Sequence, residues 1–145
     1  MLMKNLEFRW KNIQSNVIHA LKEGCLFFCI CIIIEQATNK TVDFIDVFQR
    51  SLKMGWLKPD GEVTDSLAIL RHYTNHKWRR VKVAKEEDFR IDIDYYIVQK
   101  WQHTNGKTHF RPVQFDIYEN SLTVNLGRLV EHYVYYITDK EAGFE

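Results

Sequence analysis

Three cysteines, Cys25, Cys29 and Cys31, fall within seven residues of one another, and the first directly follows Gly24. A thiol is a candidate nucleophile whose reactivity depends on where it sits. Cys25 opens an apolar run, Cys-Leu-Phe-Phe-Cys-Ile-Cys-Ile-Ile-Ile, that ends at Ile34 and continues into Glu35 and Gln36. The run reads as a helix buried on nearly all sides. At the first turn of such a helix, unpaired backbone N–H groups present partial positive charge, which favours the thiolate. Cys29 and Cys31 lie inside the run and read as small core residues, and Cys25 has the same plain alternative. Clustered on one predicted helix, the three cannot staple distant parts of a fold, so no disulfide framework is expected.

The histidines supply the candidate bases. His109 stands beside Phe110 on a predicted strand, where it is either a base or a hydrogen-bonded strand residue. His103, near the Asn105-Gly106 turn, is expected in solvent and is the second choice of base. His72 and His76 have i, i+4 spacing but no visible third ligand, so neither a metal site nor a cofactor is expected. Lys77, Arg79, Arg80 and Lys82 make a small basic strand around Trp78. The acidic residues from Glu86 onward favour a solvated face over a phosphate-binding one. A net charge of +1 likewise gives no reason to expect a nucleic-acid partner.

These side chains need elements to hold them. The 145 residues, 46% hydrophobic, suit a single domain spanning 1–145. A helical part is expected over about 5–73 and a sheet part over about 78–138. Ile13, Val17, Ile18 and Leu21 have helical spacing. The buried helix runs from Cys25 to about Ala37 and closes at Asn39-Lys40. A second helix begins at Thr41, with Val42, Phe44, Ile45, Val47, Phe48 and Leu52 on its apolar side and Gly55 as its stop. Pro59-Asp60-Gly61 is a turn, and Thr64 or Asp65 caps a third helix through Leu67, Ile69 and Leu70. Strands are expected at Trp78–Ala84, Asp94–Trp101, from Thr108, at Ser121–Asn125 and at Leu129–Ile137, with a reversal at Asn105-Gly106. Helices first and an antiparallel sheet second make the class α+β. The apolar run falls short of the ~20 residues that cross a bilayer, so no membrane span is expected. Met1 to Trp10 lack the apolar stretch of a signal peptide, and the expected setting is cytoplasmic and reducing.

Gly24-Cys25 ahead of a buried helix, Thr108-His109-Phe110 on a later strand, and Asp116 to Val124 followed by Gly127-Arg128-Leu129 carry a resemblance. Over about residues 12–137 the chain resembles papain-like cysteine peptidases of the C39-like kind. More narrowly, it resembles small papain-like proteins from spirochaete plasmids and prophages. In those relatives an Asp-Pro-Tyr-like segment precedes a Ser-x-Thr-Val strand, and Ile117 stands here in place of the proline.

The resemblance implies a papain-like fold, in which a central helix packs on an antiparallel sheet. It implies Cys25 as nucleophile, His109 as base and then acid, and Asp116 as the group that orients the imidazole. Backbone N–H groups at the helix start would hold part of the oxyanion. The family's oxyanion glutamine usually lies a few residues before the cysteine. Here His19 occupies that spacing, and the nearest upstream glutamine is Gln14, eleven residues before Cys25. On one continuous strand His109 and Asp116 would sit about 23 Å apart on opposite faces, so a triad needs a reversal, for which Pro112 is the natural break. The implied activity is hydrolysis of an amide in a peptide or protein substrate. The alternative is an inactive papain-like scaffold of a mobile element that binds a protein through exposed tyrosines such as Tyr95, Tyr133 and Tyr135. The aromatic C-terminal strand, if it lies at a sheet edge, could pair in a homodimer.

Overall fold

The computed structural model describes residues 24–84, 95–104, 106, 108–112 and 127–139. Within them the order is α1 (Cys25–Thr38), α2 (Phe44–Lys53), α3 (Ser66–Thr74), β1 (Trp78–Val83), β2 (Tyr95–Gln102), β3 (Thr108–Pro112) and β4 (Arg128–Ile137). The expected α+β class is borne out: helices come first, and the four described strands form one antiparallel sheet in the order β1-β4-β2-β3. The expected helix before Cys25 and the strand at 121–125 lie outside the described residues.

Helix α1 is buried because its sequence offers water almost nothing polar. Every residue from Phe27 to Glu35 is buried, and each large side chain withdrawn from water contributes ~2 kcal/mol. The one carboxylate in that stretch, Glu35, accepts a hydrogen bond from the Val42 N–H at 3.0 Å and so ties down the chain leaving the helix. Asn39 ends α1 in the left-handed region at φ 56°, and its N–H bonds the Glu35 carbonyl.

Helix α2 starts at Phe44, later than expected, because the Asp43 carboxylate accepts the N–H groups of Ile45 and Asp46. It packs on α1 through Phe44 and Phe48, whose rings meet Phe27 edge-on at 5.3 and 5.8 Å. Asp65, one of the two expected caps, accepts from Ala68 N–H and starts α3. Tyr73 on α3 donates its hydroxyl to Asp46 on α2 at 3.1 Å. Burial and that carboxylate push the Tyr73 pKa up to about 12.

The pleat sorts the sheet's residues. Trp78, Val98, Tyr133, Tyr135 and Ile137 join α1 and α3 in one core. Trp78 Nε1 donates to Thr74 Oγ1 at 2.7 Å, and the Tyr135 hydroxyl donates to Ser66 at 3.1 Å. The opposite face also holds buried residues: Ile97, Val134, His132 and His109. Two expectations about tyrosines fail on this geometry. Tyr133 and Tyr135 face the core and are buried, leaving Tyr95 as the exposed one of the three. Strand β4 lies inside the sheet, paired with β1 on one side and β2 on the other, so it is not an edge at which a dimer could form.

Candidate functional site

Cys25 occupies the first position of α1. Its N-cap is Gly24, which has no side chain with which to accept the first-turn N–H groups. Unlike Cys29 and Cys31, which are fully buried, Cys25 is half-buried, and all three are free thiols. Its sulfur accepts a hydrogen bond from the Phe110 backbone N–H at 3.4 Å. An N–H aimed at sulfur is accepted more strongly by a thiolate than by a thiol.

That contact fixes the orientation of strand and helix. β3 pairs with β2 on one side, so the Phe110 N–H that reaches the sulfur points to the strand's other edge. Cys25 therefore sits in the plane of β3 at its outer edge, flanked by residues from both faces. On one side, Thr108 and Phe110 join Cys25 in lining an open cavity of about 320 Å³. His109, between them in sequence, is sent to the other side by the pleat.

His109 is 9% exposed, and its ring lies 5.3 Å from that of His103 in an edge-on arrangement. Burial, together with the charges of His103 and Arg111, lowers its pKa to about 4. At neutral pH it is therefore an uncharged imidazole. Its Cα lies within about 6 Å of the Cys25 sulfur, because only two bonds separate it from the Phe110 nitrogen.

The structure thus brings together the helix start carrying Cys25 and the strand carrying His109, which are far apart in the chain. Asp116 and Gln14 lie outside the described residues. β3 is described as far as Pro112, and the chain after it, where the reversal was expected, lies outside the described residues. His103 is half-buried against His109 rather than standing in solvent. His72 packs on Trp56 and Tyr73, while His76, beyond the α3 cap, pairs with Asp139 at 3.0 Å. Among the described residues no group of three or more His, Cys, Asp or Glu is placed to hold a metal ion. No described helix is long and apolar enough to cross a membrane.

The cavity also contains residues that the sequence pattern did not place beside the thiol. Its floor is Tyr133, whose ring stands 5.4 Å from that of Phe110. Arg80 and Lys100 come from the sheet, and Glu62 from the loop between α2 and α3. That loop is held by the Leu57–Val63 bridge and by the turn in which Gly61 N–H bonds the Lys58 carbonyl. The one available signal was the alternation Arg80-Val81-Lys82, which places both cations on the strand face that carries Tyr133.

Comparison of the chain with protein-family models, with curated proteins and with solved structures finds no match.

Proposed function

We propose that the chain is a papain-like cysteine hydrolase that cleaves an amide bond in a peptide or protein substrate. The observation that carries this reading is the 3.4 Å hydrogen bond from Phe110 N–H to Cys25 Sγ, which seats the His109 strand against the thiol. Cys25 sulfur attacks the substrate carbonyl carbon while its proton passes to the neutral imidazole of His109. A histidine held to about 4 disfavours a standing thiolate–imidazolium pair, so proton transfer accompanies attack rather than preceding it. First-turn N–H groups of α1 face the oxyanion. The C–N bond then breaks, the leaving amine takes the proton from His109, and a thioester to Cys25 remains. Water activated by the same imidazole hydrolyses it, releasing the acid and restoring the thiol. Asp116 and Gln14 keep their proposed parts as orienting group and oxyanion donor, and a cytoplasmic, reducing location would keep the thiol free.

One observation favours the alternative of an inactive, partner-binding scaffold: the burial of His109 and its reluctance to take a proton. p-Nitrophenyl acetate separates the two readings. A hydrolase acetylates at Cys25 first, a reaction lost in Cys25→Ser and slowed at least ~10-fold in His109→Ala. Acetylation spread over lysines, indifferent to both substitutions, would leave the scaffold.

A further inference from the structure

Three cations converge on one ring beside the thiol. The guanidinium of Arg80 lies 5.1 Å from the Tyr133 ring centroid, the ammonium of Lys82 4.9 Å and that of Lys100 5.9 Å. The cations come from two strands, β1 and β2, that are separated in the sheet by β4.

The acidic neighbours compensate in part. Glu131 approaches Lys100 at 3.9 Å, and Glu62, across the cavity, pairs with Lys58 at 3.3 Å. An aromatic face attracts each cation singly but does nothing to relieve the repulsion between them. A cluster of like charge on the wall of an open cavity is relieved when an anion enters.

From this arrangement we infer that the cavity is a subsite for a carboxylate on the substrate, held by Arg80 and Lys100 with Lys82 behind them, over an apolar floor of Tyr133 and Phe110. The inference rests on the hydrolase reading and adds a substrate class to it. His109, which hands its proton to the leaving amine, stands on the opposite side of β3 from the cavity. The leaving group therefore departs on that side, and the cavity receives the acyl part. The substrate class is a peptide or peptide-like amide with an acidic residue on the acyl side of the scissile bond. A carboxylate suits the planar fork of an arginine better than a point charge does.

The test compares the α-methylamide of N-acetylglutamate with that of N-acetylglutamine, two ligands of nearly equal shape of which only the first carries a carboxylate, by NMR titration of the wild-type protein. The carboxylate compound binds at least ~10-fold more tightly, the preference shrinks in high salt, and it falls in Arg80→Gln and Lys100→Gln. Equal binding of the two compounds by the wild type overturns the subsite, whatever the variants do. Acetylation of Cys25 by p-nitrophenyl acetate, run on the same samples, keeps the two readings apart. Selective acetylation with equal binding removes the subsite and leaves the hydrolase. Preferential binding of the carboxylate compound with an inert Cys25 removes the hydrolase, and with it any role for the anion as an acyl-side substrate group.

Discussion

The surroundings of His109 fix which form of its imidazole the folded protein holds. Its lowered pKa reflects burial of the ring beside the charges of His103 and Arg111, so the folded protein resists the imidazolium that the proposed reaction would form transiently. The same resistance affects stability. Above pH 6.5 both folded and unfolded chains hold a neutral imidazole, and the group contributes no pH dependence. Between 6.5 and about 4 the unfolded chain takes up a proton that the folded protein refuses, so stability falls as pH drops through that window, by up to ~3 kcal/mol. Urea unfolding from pH 7 to 4, in wild type and in His109→Gln, measures this contribution. The variant is expected to lose less stability over the window, and identical profiles would mean that His109 titrates normally. Cys25 shows the complementary point, since three cysteines in one run share a residue type but differ in exposure. The position after Gly24 was enough to single out Cys25 from the sequence.

Elements explain why some of this was legible and some was not. Helix α1 was readable because an unbroken apolar run admits one environment, and Asn39 offers a left-handed stop where one is needed. Caps at Asp43 and Asp65 are local chemistry, and Asp65 was among the candidates named from sequence. Strand order is not local. Tyr133-Val134-Tyr135 has the same alternation whether β4 lies at an edge or in the centre, so neither its interior position nor the burial of both tyrosines could be read from it. The cation cluster was hidden for the same reason: Arg80, Lys82 and Lys100 meet only through the pairings of β1 with β4 and of β4 with β2. Gly127, at the entry to β4, shows a backbone requirement. Its φ is 80°, and a Cβ there would run into the Gln102 carbonyl and approach His103 C and Thr104 N at 3.2 Å. Gly127→Ala is therefore expected to destabilise the fold by ~1–3 kcal/mol, read as a lowered urea midpoint. An unchanged midpoint would mean that the approach of β4 to the end of β2 is looser than this geometry requires.

At the scale of the whole molecule, the fold's contribution is to close a long loop in the chain. Cys25 and Phe110 are 85 residues apart, yet their sulfur and nitrogen are hydrogen-bonded. Helix α1 supplies the thiol at its exposed end while the rest of the helix anchors the core. The sheet places the His109 imidazole on one side of β3 and a charged, aromatic-floored cavity on the other. Each of these parts has a structural use without the others, and only their meeting at the outer edge of β3 suggests catalysis. The most direct measurement is iodoacetamide alkylation of the three cysteines as a function of pH, mapped by mass spectrometry in wild type and His109→Ala. Rapid labelling of Cys25 alone near neutral pH, slowed at least ~10-fold by the substitution, is expected of a thiol whose base is His109. Slow labelling of Cys25, unaffected by loss of the imidazole, would contradict that assignment.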